Sequence, residues 1–346
     1  MGKEKIKVLI VDDSAVACQV LTKILSETND IDVVGAAMNP LIARDKIKVL
    51  KPDVVTLDIE MPRMGGLTFM TDLMRLHPVP VVIVSTLTEE VSDATHRALE
   101  LGAVDFIAKP KVKTELAKYA NDICTKVRTA PKTRVSGASL TVNRVAKVDV
   151  PTSIKRRNDQ QIIAIGSSTG GTEAIKEVLV DLPLDSPPVV VTQHISKSFS
   201  AAFAQRLDSL CQLTVVEADT GMELRSGHVY IAPGDRHLMI VKKGGNYTCL
   251  LNNGPEVNRH KPSVDVMFRS LLDSTPKDVH AVVLTGMGSD GAEGMLELLK
   301  AGATTTVQDE ASSVVWGMPG SAVKLSAAQS VIPLKKMAGH LISQYE

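Results

Sequence analysis

Ile6-Lys7-Val8-Leu9-Ile10-Val11-Asp12-Asp13 is a short, β-branched-rich apolar run that stops on two acids, and a segment of helical period follows it. The same alternation returns at Val33–Ala37, Val54–Leu57, Val81–Val84 and Val104–Ala108, each run again followed by a longer amphipathic stretch. Five such units in succession predict a doubly wound α/β domain on a parallel sheet.

Beyond this block the composition changes. From about Thr125 to Asn158 the basic residues Lys126, Arg128, Lys132, Arg134, Arg144, Lys147, Lys155, Arg156 and Arg157 outnumber the acid Asp149, and Pro, Ser, Thr and Gly break any period. That reads as an exposed linker, its charges solvated. A second α/β pattern opens at Gln161–Ile165 and continues through Val189–Thr192, Leu213–Glu217, Val229–Ala232, Leu238–Val241, Ala281–Thr285, Thr304–Val307 and Val331–Leu334. Helical stretches fall at Glu173–Leu182, Ser198–Ser209, Val264–Leu272 and Ala292–Ala301, and Gly221–Asn252 has hairpin character with Lys243-Gly244-Gly245-Asn246 as its turn. The expectation is two domains, residues 1–124 and 159–346, joined by a linker at 125–158.

Composition narrows the function classes. The 346 residues carry 39 Lys+Arg and 39 Asp+Glu, so net charge gives no argument for nucleic-acid binding. Aromatics make up 3%, too few for a single-strand platform of stacked rings. The cysteines Cys18, Cys124, Cys211 and Cys249 lie far apart with no Cys-x-x-Cys pair, which speaks against a zinc ribbon or a disulfide scaffold. No apolar run reaches the ~18 residues of a membrane helix, and Met1–Lys5 passes straight into the first strand-like run. The expected location is the cytoplasm, without membrane insertion.

In an open parallel sheet, function gathers at the carboxyl ends of the strands. Asp12 and Asp13 end the first apolar run, Asp58 the third, Ser85 and Thr86 the fourth, and Lys109, followed by Pro110, the fifth. Three converging carboxylates suit a hard divalent cation such as Mg²⁺, while an ammonium and a hydroxyl suit the oxygens of a phosphoryl group. This segment resembles the receiver domain of two-component response regulators, a flavodoxin-like fold, across nearly all of residues 1–123. The resemblance implies that Asp58 accepts phosphate from a histidine kinase. It also implies that Asp12, Asp13, Asp58 and the Glu60 carbonyl hold Mg²⁺, that Lys109 contacts the phosphoryl group, and that Ser85 with Phe106 relays the switch. Gly65-Gly66 stands where many receivers have an acid before the glycine.

The second half carries a different chemistry. After Ile162–Ile165 comes Gly166-Ser167-Ser168-Thr169-Gly170-Gly171 and then a helix. Small residues on both sides allow a tight strand-to-helix turn that presents a hydroxyl, with helical N–H groups nearby for an oxyanion. The Gly166-x-Ser168-x-Gly170 spacing centres on Ser168 and leaves Ser167 as the second candidate; a phosphate-binding or capping turn fits the same residues. A base is needed, and His194 directly follows the next strand, Val189–Gln193. His228, His237 and His260 fall where they could line a cleft, whereas His77, His96, His280 and His340 read as surface or loop residues. For an orienting carboxylate, Asp290 stands in Gly286-Met287-Gly288-Ser289-Asp290-Gly291 after another strand. That segment also matches Gly-x-Gly-x-x-Gly, with Asp309 further on, as a dinucleotide site would have. Against it, a carboxylate at Asp290 would repel a pyrophosphate at the helix N-terminus.

The order Ser168, His194, Asp290 differs from that of α/β-hydrolases. It resembles the catalytic domain of the chemotaxis protein-glutamate methylesterases, the CheB family. Supporting matches are Ile165–Ala174, Thr192-Gln193-His194, Ile231-Ala232-Pro233-Gly234, His260-Lys261-Pro262-Ser263-Val264-Asp265 and Leu284–Gly291. The family usually has alanine at Ser167 and often arginine at Lys261. The resemblance implies a Rossmann-like esterase domain with an antiparallel hairpin, without a cofactor of its own. It implies that Ser168, with His194 as base and Asp290 behind it, cleaves glutamate methyl esters on chemoreceptors and deamidates glutamines; the N–H groups near Thr169 and Met287 are the expected oxyanion site. It further implies that the unphosphorylated receiver restrains the enzyme. A transcription regulator would need a helix-turn-helix and a basic face in the second half, and neither is visible; a lipase-like hydrolase would need a late histidine such as His340, whose neighbours read as an ordinary amphipathic terminal helix.

Overall fold

The computed structural model describes residues 5–61, 65–86, 94, 97–98, 101–110, 116–132, 161–273 and 276–345. These form two compact units, one within residues 1–142 and one within 143–346. The predicted linker runs helical to Thr129 and ends its described part at Lys132; its remainder, 133–158, lies outside the described residues, as does His96.

The first unit contains β1 (Ile6–Val11), α1 (Ala15–Ser26), β2 (Ile31–Ala37), α2 (Pro40–Leu50), β3 (Val54–Leu57), α3 (Gly66–Leu76), β4 (Val81–Ser85), β5 (Asp105–Ala108) and α4 (Leu116–Thr129). Its sheet is parallel, in the order β2-β1-β3-β4-β5. Strand alternation sorts the core into two layers. Val8, Ile10, Val54, Val82 and Val84 pack with Leu21 and Leu25 of α1 and Ile123 and Val127 of α4. Leu9, Val11, Val55, Leu57, Val81 and Ile83 pack on the other face with Ile47 of α2 and Phe69, Met70 and Leu73 of α3. Ser14 caps α1 by accepting the Ala17 N–H at 3.3 Å, so the helix starts immediately after the acid pair.

The second unit contains β6 (Ile162–Ser167), α5 (Gly171–Val180), β7 (Val189–Gln193), α6 (Lys197–Leu210), β8 (Thr214–Glu217), β9 (His228–Ile231), β10 (His237–Lys243), β11 (Asn246–Asn252), α7 (Val264–Ser270), β12 (Val279–Val283), α8 (Ala292–Lys300), β13 (Thr304–Gln308), α9 (Met318–Lys324), β14 (Ser330–Ile332) and α10 (Leu334–Ile342). A seven-stranded parallel sheet runs β14-β13-β12-β6-β7-β9-β8, and β10 and β11 form a separate antiparallel pair. The fold class is as expected, but the stretch read as a hairpin, Gly221–Asn252, includes one strand, β9, that belongs to the parallel sheet. The β10–β11 pair turns through Gly244 and Gly245 at φ 61° and 93°, Glu223 adds an antiparallel bridge to Thr248 of β11, and β9 enters the parallel sheet between β7 and β8. Two-residue hairpins need positive φ at both central positions, which the glycines supply. The hairpin packs its buried Leu238, Ile240, Tyr247 and Cys249 into the same core as Val264, Met267 and Phe268 of α7. One site expectation placed outside any pocket changes here: His280 is not a surface residue but lies 1% exposed on β12, its Nε2 2.8 Å from Thr306 Oγ1.

Candidate functional site

In the first unit the strand ends deliver their side chains to one edge. Ligand oxygens of Asp12, Asp13 and Asp58 lie within 4.8 Å of one another. Lys109 Nζ reaches Asp58 Oδ2 at 2.5 Å and Asp12 Oδ2 at 2.7 Å. Ser85 Oγ donates to Asp58 Oδ1 at 3.4 Å, and the Glu60 N–H donates to the same oxygen at 3.0 Å. The Glu60 carboxylate faces outward and takes a short hydrogen bond from Thr86 Oγ1. Phe106 is half-buried on β5, with Lys126 Nζ 5.9 Å from its ring centroid. Burial raises the Asp12 pKa, outweighing the bond and charge of Lys109. Asp12 Oδ2 is buried and, although paired with the ammonium, has no well-directed hydrogen bond. A hard-oxygen donor set with an under-satisfied buried carboxylate fits a divalent cation.

In the second unit, three adjacent central strands build the other site. Ser167 and Gln193 are register partners on β6 and β7, so Ser168 and His194 are the first residues past the ends of neighbouring strands. The His194 N–H bonds the Ser167 carbonyl at 3.1 Å, and the Ser168 N–H bonds the Thr285 carbonyl beyond β12 at 3.0 Å. Alternation separates the two serines. Ser167 is fully buried and its Oγ donates to Gln193 Oε1 at 2.6 Å, while Ser168 is half-buried and its hydroxyl has no hydrogen bond among the described residues. Gln193 Nε2 in turn holds the Ser168 carbonyl at 2.8 Å. A Cβ on Gly286 would fall 2.9 Å from the Ser168 Cβ, so only glycine permits this approach.

Asp290 is 2% exposed and grips the His194 ring, whose Nε2 lies 2.8 Å from its Oδ2. The same carboxylate accepts Asn258 Nδ2 at 2.8 Å, Ser263 Oγ at 2.8 Å, and the N–H groups of Val264 at 2.6 Å and Asp265 at 3.3 Å. Burial alone would raise its pKa; the bond and charge of His194, with Asn258 and Val264, hold it well below the ordinary carboxylate value. With Nε2 occupied, His194 Nδ1 is the free nitrogen, buried and without a partner among the described residues. No hydrogen bond joins Ser168 to the ring among the described residues. The N–H groups of Thr169 and Met287 likewise have no acceptor among them, and Met287 is 40% exposed.

The sequence patterns do not disclose Asn258, Ser263 or Asp265 as supports of Asp290. Ser263 had a signal, since a serine ahead of an apolar helical run is an N-cap, and it does cap α7. Of the other histidines, His260 stacks on His194, with ring centroids 3.6 Å apart and planes at 10°. His237 spends both ring nitrogens on the Pro255 carbonyl and the Ser263 N–H, and His228 bonds the Ser226 carbonyl. At the N-terminus of α8, the Gly294 N–H donates to Asp265 Oδ1 at 2.7 Å, so that helix end is already occupied by a carboxylate.

The CheB methylesterase family model matches residues 163–341, and the response regulator receiver domain model matches residues 8–121. A protein-glutamate methylesterase/protein-glutamine glutaminase of Xanthomonas campestris pv. campestris is 51% identical, over 98% of this chain and 97% of its own length. A counterpart of the same name in Geobacter metallireducens is 49% identical, over 100% of this chain and 98% of its own. The crystal structure of the Thermotoga maritima CheB methylesterase catalytic domain aligns with a TM-score of 0.52 at 38% identity, covering 53% of this chain and 98% of that one.

Proposed function

The chain belongs to the CheB methylesterase family, with a receiver domain ahead of its catalytic domain, and from that premise we propose that Ser168, His194 and Asp290 carry its hydrolytic chemistry. The activity is that of a protein-glutamate methylesterase and protein-glutamine glutaminase in chemotaxis, regulated by phosphorylation of the receiver. Ser168 Oγ attacks the side-chain carbonyl carbon of a glutamyl methyl ester and gives its proton to His194 Nδ1. Asp290, bonded to Nε2, fixes the tautomer and balances the imidazolium. The tetrahedral oxyanion takes hydrogen bonds from the Thr169 and Met287 N–H groups, which have no other acceptor among the described residues. Collapse expels methanol with the proton from His194, and water repeats the sequence to release a glutamate carboxylate. With glutamine the leaving group is ammonia, through the same acyl-enzyme. The observation that carries the reading is the His194 ring: clamped by Asp290 through one nitrogen, buried and unpartnered at the other, one residue past the strand beside Ser168.

At the receiver edge Asp58 accepts a phosphoryl group from the histidine kinase of the chemotaxis system. Asp12, Asp13, Asp58 and the Glu60 carbonyl would hold Mg²⁺, which would supply positive charge to offset that of the phosphoryl oxygens. Lys109 pairs with the phosphoryl group, and Ser85 and Phe106 register it. The substrate proteins are methylated chemoreceptors, and the compartment is the cytoplasm.

Methanol release from methylated receptor, with and without a small-molecule phosphodonor, tests this. Ser168→Ala should lose release by several orders of magnitude while Asp58 still takes phosphate, and Asp58→Asn should lose the response to phosphodonor. Turnover retained in Ser168→Ala would refute the serine assignment.

A further inference from the structure

A tight turn outside the three catalytic strand ends reaches into the site. Val257 and His260 exchange backbone hydrogen bonds of 3.0 and 2.9 Å, and the two residues between them, Asn258 and Arg259, both have left-handed φ, 53° and 67°. Asparagine tolerates that region; arginine is strained in it. So closed, the turn delivers two groups. Asn258 Nδ2 bridges the buried carboxylates, 2.7 Å from Asp265 Oδ2 and 2.8 Å from Asp290 Oδ1. The next ring, His260, lies flat on His194 at 3.6 Å and 10°. Aromatic rings left to packing alone favour offset or edge-on contacts. A flat neutral imidazole offers its π face to a cation, and His194 becomes a cation when it takes the serine proton.

We propose that His260 is a positioning residue for the esterase reaction, its stacked ring holding the plane of His194 and presenting a π face to the imidazolium that forms there. The inference rests on His194 being the base. Charged groups seen at the pair among the described residues include the Asp290 carboxylate at Nε2 and, behind Asn258, that of Asp265. Lys261 is turned away, its Nζ 3.1 Å from Asn253 Oδ1 and 3.3 Å from the Gly254 carbonyl, and Arg259 is exposed. A fixed cation in place of His260 would therefore meet the imidazolium face to face, and repulsion would keep His194 neutral to lower pH.

The test compares His260→Phe with His260→Arg in the full chain. Both keep a flat group of similar reach, and only the second is charged. Measurements are the NMR titration of the His194 ring and the pH profile of kcat/KM for methanol release. His260→Phe should keep kcat within about threefold and titrate His194 near its native midpoint. His260→Arg should lose about tenfold or more in kcat and move the His194 midpoint and the acid limb down together by about one pH unit. Equal kcat losses with an unmoved His194 midpoint would show a ring that merely packs, and would overturn the proposal. The titration is read without turnover, so a failure of the Ser168 assignment, seen separately in Ser168→Ala, is distinguishable from a failure here.

Discussion

Asp290→Asn changes one oxygen to an amide nitrogen and removes one charge, and the donors around the carboxylate decide how the site responds. Two donors point at Oδ2, His194 Nε2 and the Val264 N–H; three point at Oδ1, from Asn258, Ser263 and Asp265. If the new NH₂ takes the Oδ2 place, the Val264 N–H is opposed and His194 must swap its proton to Nδ1, which then cannot act as base. If it takes the Oδ1 place, the Asn258 amide and the Asp265 N–H both lose their acceptor, although the Ser263 hydroxyl can rotate. The first orientation strands one buried donor and the second two, at about 1–3 kcal/mol each, so the first wins. The expected cost is therefore about 1–3 kcal/mol in stability and about 10⁴-fold in kcat, the loss that a wrong tautomer brings to a Ser-His-Asp site. The stability difference has a sign in pH. Asp290 titrates below its unfolded value, so its contribution is complete above about pH 5 and is withdrawn as pH falls through and below about 4. Thermal unfolding of the two proteins from about pH 7 to 3 should show a gap that narrows in acid, alongside methanol release at neutral pH. A variant that keeps turnover within about tenfold of wild type, or a gap that widens in acid, would refute the reasoning.

A Cβ on Gly171 would fall 2.2 Å from Gln193 Oε1 and 2.7 Å from Ser167 Oγ. Gly171→Ala should thus break the Ser167–Gln193 bond, release the Ser168 carbonyl, and lower kcat by about tenfold or more with a change in Tm of only a few degrees; an unchanged kcat would show that Gln193 does not hold the serine turn. Burial, helped by the charge of His340, holds His280 down at about 3, so the stability it lends is present above about pH 6.5 and drains away as pH falls toward 3. His280→Gln keeps a hydrogen-bonding group for Thr306 without the titration and should flatten the fall in Tm between about pH 6.5 and 4; parallel Tm curves for variant and wild type would sink this account.

What could be read ahead of the structure is what a parallel sheet makes periodic. Asp12, Asp58, Ser85, Lys109, Ser168 and His194 each stand at or just past the end of a short apolar run, and parallel strands bring such ends to one edge. Strand alternation even holds the answer to which serine is free, since Ser167 is the last strand residue and turns inward. Asp290 was legible by its neighbourhood alone: β12 ends at Val283, and the loop of Gly286–Gly291 brings the carboxylate back. His260 and Asn258 were not legible as a pair, because a turn with two left-handed residues has no hydrophobic period and nothing local says which ring it will cover. The insertion of β9 between β7 and β8, and the burial of His280, were hidden for a related reason: strand order and depth in a sheet are set by long-range pairing.

The two sites use an aspartate for opposite purposes, and the number of donors around each accounts for the difference. A carboxylate has about four lone-pair sites. Asp290 faces five donors, from His194, Asn258, Ser263, Val264 and Asp265, so no lone pair is left to form a bond and its charge is pinned. It can only orient and neutralise. Asp58 faces three, from Lys109, Ser85 and the Glu60 N–H. That leaves an oxygen lone pair to attack phosphorus, with an ammonium already in place for the charge the new phosphoryl group brings. Adding a donor to Asp58 would convert it toward the Asp290 condition, and removing donors from Asp290 would leave a buried charge and not a nucleophile, because Asp290 is closed over by residues 258–265 whereas the strand end of Asp58 is lined by acids and an ammonium. The roles proposed for the two residues are thus set by their surroundings, with the same side chain serving as reactant in one unit and as fixed counter-charge in the other.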